Sequence, residues 1–268
     1  MPNSNCCITF LTDFGTQDTY VGQMKGVALG IDPGANLIDL THEIPPQQVL
    51  RAAYVWADAI DAFDPETVHV AVVDPGVGSD RRLIAAEIGP YRVVCPDNGL
   101  LTVILRRASV RRAVVLNNRA FWRAAVSDTF HGRDILTPVA VSWGRGADLS
   151  EFGSPLTEPL VTLTAATPTR GKTSIIGQVI HVDRFGNLIT NITAGDLPVP
   201  ALPLTVEIGS FQISGLSRCY TDVPIEEPLA LMGSSGRLEI SIRNGNAAEE
   251  FNADFGRRVV VRWEGSLT

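Results

Sequence analysis

The sequence predicts an α/β N-terminal domain with a mainly parallel sheet, followed by an all-β, barrel-like C-terminal domain. Strand-like and helix-like patterns alternate through the first half. A stretch rich in Thr, Pro and small residues, GSPLTEPLVTLTAATPTRGKT (153–173), then shows no amphipathic period and reads as the domain boundary. Beyond it lie only short apolar runs split by Gly, Pro, Asn or Asp. The 268 residues suffice for two moderate domains, placed at 1–160 and 173–268 with a linker at 161–172.

The elements follow in order. CCITFLT (6–12) reads as a buried strand, and Val21, Met24, Ala28 and Ile31 recur at helical spacing over 20–31. NLIDL (36–40) is the next strand. After Pro45-Pro46, which suit a helix start, Val49, Ala53, Trp56, Ile60 and Phe63 step by three and four until Asp64-Pro65. TVHVAVV (67–73), LIAAEI, YRVVC and AVVL continue the strands, with a short helix near 99–107 and another after Gly132. In the second half SIIGQVIHVD, NLITNI, LPLTVEI, EPLALM, RLEISI and RRVVVRW are strands. Gly22, Gly26 and Gly30 predict a close-packed helix face.

Composition removes several function classes. Hydrophobic content is 45% and charged content 19%, with no apolar run near the roughly 18 residues that span a bilayer, so membrane insertion is not expected. A net charge of −7 without a basic, aromatic-interleaved block argues against a nucleic-acid surface. The N-terminus MPNSNCCITFLTD lacks the basic region of a secretory signal. Cys6, Cys7, Cys95 and Cys219 show no CxxC spacing, which fits a reducing, cytoplasmic setting. His42, His69, His131 and His181 form no HExxH or His-x-His pattern, so the spacing supports no metal site.

Candidate chemistry gathers at a few turns. TDFGTQDTYVGQMKG (12–26) puts Asp13 at the carboxyl end of the first strand, where α/β sheets bind ligands and a carboxylate can hold a ribose diol; the alternative is that Asp13 or Asp18 caps the next helix. AVVDPGVGSDRR (71–82) puts Asp74 in the same topological place. Its glycines match neither phosphate-loop pattern, leaving an active-site carboxylate or an aspartate bonded to its own turn amides. SDTFHGRD (127–134) offers His131, functional or structural, with Arg133 and Asp134 as local pairing residues. HVDRFGNLITNI (181–192) joins Asp183, Phe185 and Asn187 at one turn, a base-stacking site or a plain hairpin. MGSSGRLEISIRNGNAAE (232–249) adds Ser234, Ser235, Glu239, Arg243 and Asn244.

With PDNGL between them, these segments in this order resemble the adenosine-forming S-adenosylmethionine hydrolases, or SAM hydroxide adenosyltransferases, relatives of the fluorinase and chlorinase. The resemblance runs nearly end to end. It implies hydrolysis of S-adenosyl-L-methionine (SAM) to adenosine and L-methionine, with no cofactor or metal. It further implies a homotrimer whose sites lie between the N-terminal domain of one subunit and the C-terminal domain of its neighbour. By the same resemblance Asp74, Arg81 and His131 form the catalytic trio, and Arg82 is expected to be dispensable. Asp13 holds the ribose hydroxyls, and Asp18 and Tyr20 line the nucleoside pocket. Asp183 and Ser234, with Ser235 beside it, take the methionine amine and carboxylate; Phe185 and Asn187 line the adenosine; Glu239, Arg243 and Asn244 complete the substrate contacts.

Departures from the halogenases separate sister activities. Where the fluorinase has a tyrosine and a threonine this chain has Asp74 and Val77, and where it has Phe-Tyr-Ser this chain has Phe130-His131-Gly132. A nucleophile drawn from water is therefore expected over a halide. A SAM or adenosine binder with little turnover and a SAM-dependent halogenase are the alternatives.

Overall fold

A computed structural model of the chain describes residues 6–198 and 203–264. The leader reading of residues 1–5 and Leu202 of LPLTVEI lie outside the described residues. The chain divides into two compact units, Met1–Ala165 and Ala166–Thr268. Val161 and Leu163 are tied to the first unit, their amides donating to Asp97 Oδ1 (2.8 Å) and Thr102 Oγ1 (2.9 Å).

The first unit runs β1 (Cys7–Thr12), α1 (Tyr20–Ile31), β2 (Asn36–Thr41), α2 (Val49–Ala59), β3 (Val68–Val72), β4 (Leu83–Ile88), β5 (Tyr91–Pro96), β6 (Val110–Leu116), α3 (Thr137–Gly144) and β7 (Gly153–Pro155). The sheet order is β2-β1-β3-β5-β4-β6-β7. Strands β2, β1, β3, β5 and β6 point one way, and only β4 and β7 are reversed. Alternation along the strands sorts the two faces. Ile8, Phe10, Val68, Val70 and Val72 pack with Met24 and Ala28 of α1 and Val139 and Ala140 of α3. Trp56 of α2 is fully buried outside that cluster.

Connections from β1 run to β2 on one side and then to β3 on the other, so the chain reverses its direction of travel across the sheet between β1 and β3. That is the switch point where such sheets bind ligands beyond the strand ends. Asp13 follows β1, and Asp74 follows β3, at this place.

Three local expectations change. The helix near 99–107 is reduced to a 3₁₀ turn, Ile104–Arg106. The helix after Gly132 opens with a π-helical turn, Gly132–Leu136, a geometry concentrated at functional sites. The glycine face of α1 is not close-packed within this chain: a Cβ on Gly22, Gly26 or Gly30 would meet nothing within 4 Å, because α1 rests on the sheet through Met24 and Ala28.

The second unit contains β8 (Thr169–Arg170), β9 (Ser174–Val182), β10 (Leu188–Thr193), β11 (Leu204–Ile208), β12 (Phe211–Ser214), β13 (Pro228–Met232), β14 (Arg237–Ile242), α4 (Ala247–Glu250) and β15 (Arg258–Trp263). Its antiparallel order is β12-β11-β15-β9-β10-β14-β13, with β8 on β9. A bridge from Ser217 to Leu231 brings the chain after β12 onto β13, so the sheet nearly closes into a barrel. Val179, Leu188, Val206, Leu238, Ile240 and Val261 fill it.

Candidate active site

The glycine turn after β3 brings a carboxylate, a guanidinium and an imidazole into direct contact. Arg81 Nε donates to both Asp74 oxygens at 2.7 Å, Arg81 Nη2 adds a further contact to Oδ2, and Nη2 lies 3.1 Å from His131 Nδ1. Asp74 and Arg81 side chains are nearly buried, so the pair acts with little screening. The alternative in which Asp74 bonds its own turn amides is set aside: its carboxylate goes to Arg81, and Val77 N–H donates to the Asp74 carbonyl instead.

Two glycines permit the approach. Gly78 has φ +84°, and a Cβ there would stand 2.8 Å from the Asp128 carbonyl, so the turn can lie against the loop that leads to His131. A Cβ on Gly132 would stand 3.3 Å from both Val72 methyls, which lets the helix start settle onto the end of β3. From behind, Asn98 of PDNGL donates to the Val73 carbonyl at 2.9 Å.

A guanidinium offers only donors, so His131 Nδ1 must accept and the neutral ring carries its proton on Nε2. Burial and then the Arg81 charge hold the His131 pKa below its ordinary value, keeping the neutral form. Arg81 Nη1 makes no hydrogen bond among the described residues. Behind the trio, Arg81 and His131 line a cavity of about 650 Å³ with Ser79, Asp128 and Val126.

His131 is held by its neighbours. Asp134, fully buried, accepts from Arg133 Nε (2.7 Å), Arg123 Nη1 (2.9 Å) and the Ser127 amide (2.9 Å), fastening the 123–134 loop. Burial opposes its charge, but these donors outweigh it and bring its pKa to about 2. Arg133 and Asp134 thus pair locally, as their adjacency implied.

Arg82 is not idle. Its Nε donates to buried Asp97 at 2.9 Å, and its other nitrogens reach Glu158 (2.6 Å) and the Pro159 carbonyl (2.7 Å). The second arginine of the pair therefore has a structural role, anchoring the 158–161 segment.

Around the nucleoside candidates, Asp13 Oδ2 accepts the Gln47 amide at 2.7 Å, and burial raises the Asp13 pKa. Helix capping is excluded, since Thr19 occupies the N-cap and no side chain caps α1. Tyr20, 46% exposed, meets Phe130 edge-on at 5.4 Å and Phe14 at 5.7 Å, joining the TDFG and TFHG segments. Neither Phe14 nor Phe130 was marked as a site residue in the sequence, although each sits inside a quoted motif. Asp18 is exposed in the turn before α1.

In the second unit Asp183 Oδ1 accepts the Phe185 and Asn187 amides and Oδ2 accepts Asn187 Nδ2, all at 2.9 Å. This hairpin turns on Gly186 at φ +83° and leaves Phe185 75% exposed. Glu239 is buried, accepting from Tyr220 Oη (2.6 Å) and Ser241 Oγ (2.8 Å). Burial, Glu239 and Asp183 together raise the Tyr220 pKa, so Tyr220 stays a neutral donor. A Cβ on Gly233 would lie 2.7 Å from Glu239 Oε2, so this carboxylate leans on the turn that carries exposed Ser234 and Ser235. Arg243 is turned aside, donating to the Val223 carbonyl at 2.7 Å, and Asn244 is a turn residue at φ +56°. No sequence signal marks Tyr220, which only the excursion between β12 and β13 brings to β14.

Among the described residues no group of three or more His, Cys, Asp or Glu could hold a metal, and no helix is long and apolar enough to cross a membrane.

Known proteins resemble this chain over nearly its whole length. The (R)-S-adenosyl-L-methionine hydrolase of Salinispora tropica is 38% identical, over 95% of this chain and 97% of its own length. A fluorinase of Actinoplanes sp. is 26% identical over 97% of this chain and 98% of its own. The crystal structure of an uncharacterized conserved protein from Thermotoga maritima superposes with a TM-score of 0.90 at 34% identity, covering 95% of this chain and 99% of that one. Residues 8–153 match the SAM hydroxide adenosyltransferase N-terminal domain and residues 177–260 the corresponding C-terminal domain, so the chain belongs to the SAM hydroxide adenosyltransferase family.

Proposed function

We propose that the protein hydrolyses S-adenosyl-L-methionine, with water attacking the 5′ carbon and adenosine and L-methionine leaving. The fused Asp74, Arg81 and His131 cluster at the sheet's switch point carries this reading. A C–O bond forms as the C5′–S bond breaks, and the bonding pair returns to sulfur. The sulfonium departs as a neutral thioether and needs no general acid. The task is the nucleophile.

Water, with a pKa of about 15.7, is far too weak an acid for a carboxylate near 4 to ionise beforehand. Proton transfer therefore follows bond formation, when the attacking oxygen becomes strongly acidic. Arg81 cannot accept a proton, and the His131 Nδ1 lone pair faces Arg81, so Asp74 is the acceptor. Arg81 Nη1 and the His131 Nε2 proton hold the oxygen in line.

Asp13 holds the ribose diol, with Asp18 and Tyr20 lining the nucleoside. Asp183, Ser234 and Ser235 take the amino-acid end, and Phe185 and Asn187 the adenosine. Glu239 adds a buried negative charge on the same side as the Ser234 turn, while Arg243 and Asn244 act by shaping their loop. The protein acts as a homotrimer, a reading supported by the open glycine face of α1 with exposed Leu29 (43%) beside it. Four free cysteines support a reducing, cytoplasmic setting.

Purified protein incubated with SAM, with and without chloride, tests the reaction by chromatography. Equal amounts of adenosine and L-methionine, indifferent to chloride, are expected. Binding without turnover, or chloride-dependent 5′-chloro-5′-deoxyadenosine, would overturn it.

A further inference from the structure

His42 is buried at the carboxyl end of β2, and the chain that starts there grips the segment after β1 almost residue by residue. Thr12 Oγ1 lies 2.9 Å from His42 Nδ1, and the Gln47 amide donates to Asp13 Oδ2 at 2.7 Å. The Gly15 amide donates to the His42 carbonyl at 2.8 Å, and the Thr16 hydroxyl donates to Glu43 Oε1 at 3.3 Å. Of residues 12–16 only Phe14 makes no bond to this loop, and its amide donates to Thr12 Oγ1 at 3.2 Å. The two segments meet because β1 and β2 are parallel neighbours. Gln47 holds φ +67°, a conformation that costs energy for a residue with a side chain and that recurs where surrounding contacts fix a functional group.

The two nitrogens of His42 differ. Nδ1 makes the hydrogen bond to Thr12, whereas Nε2 lies 3.0 Å from Asp39 Oδ1 without the alignment of a hydrogen bond. Because Thr12 Oγ1 accepts the Phe14 amide, its own proton is free for Nδ1. The imidazole thus holds Thr12 on one side of Asp13, while the His42 backbone carbonyl holds Gly15 on the other.

We propose that His42 is a positioning residue for substrate: through Thr12 and its own carbonyl it aims the Asp13 carboxylate at the ribose diol. The inference rests on the reading of Asp13 given above. Such a role acts on substrate affinity, not on the chemical step.

Steady-state kinetics with SAM, adenosine binding by calorimetry and thermal melting test it. His42→Ala should raise KM for SAM and Kd for adenosine about tenfold, with kcat within about threefold. His42→Asn, whose amide reaches the Nδ1 position, should recover most of the affinity, and His42→Gln, which reaches the Nε2 position, should not. If His42→Ala does not fold, Thr12→Val removes the same bond at nearly constant shape and should give the same rise in KM. An unchanged KM in the folded variants, with only the melting temperature lowered, overturns the proposal. Asp13→Asn separates the two claims. A wild-type KM there removes the ribose reading and this inference with it; a raised KM there, beside an unchanged one in the His42 variants, removes this inference alone.

Discussion

At the scale of single residues the account turns on which atoms are already engaged. Both Asp74 oxygens meet Arg81, and His131 accepts from the same guanidinium, so the three groups work as a unit. Asp74→Asn should lower kcat by about 10²–10⁴ with adenosine binding retained, as measured by turnover and calorimetry. Arg81→Lys should fare little better, because an ammonium cannot span carboxylate and imidazole together. His131 has its pKa lowered from 6.5, so it is neutral at pH 7. Protonation would set an imidazolium against Arg81 and remove the Nδ1 acceptor. The acid limb of the kcat profile should accordingly fall below pH 6.5, and His131→Gln should abolish that limb. Arg82 belongs to stability. Arg82→Ala strands the buried Asp97 carboxylate and should cost about 3 kcal/mol in urea unfolding, with kcat of the folded enzyme nearly unchanged.

At the scale of elements, backbone geometry brings the trio together. Gly78→Ala meets both a φ of +84° and the Asp128 carbonyl at 2.8 Å, so the turn and the 123–134 loop must separate. A melting temperature lower by several degrees is expected, together with a fall in kcat larger than any change in KM. The strands and helices that build this region are legible in the sequence, since buried runs and three-four spacing report which faces are covered. Asp13, Asp74 and His131 could be marked because they sit at strand ends or a helix start, positions set by local pattern. Partnerships were not legible. Arg82 finds Glu158 far along the chain, and His42 finds Thr12 through strand adjacency, neither encoded in spacing. The glycine ridge of α1 misled for a related reason: periodicity says that a face is smooth, not that this chain covers it.

At the scale of the whole molecule, strand order decides where chemistry can happen. Only because β1 lies between β2 and β3 do the 41–47 loop, Asp13 and Asp74 gather at one edge. The same packing leaves His69 buried and neutral beside Thr9, with desolvation bringing its pKa to about 4. Between pH 6.5 and about 4 the unfolded chain binds a proton that the native chain does not, so this contribution is whole above pH 6.5 and declines as pH falls. The urea midpoint should drop on acidification over that window, and His69→Gln should flatten the decline. The central claim, that the trio delivers water to the 5′ carbon of SAM, is met most directly by turnover in oxygen-18 water with mass spectrometry of the nucleoside. The account predicts one labelled oxygen in the 5′ hydroxyl of adenosine, and adenosine without that label would contradict it.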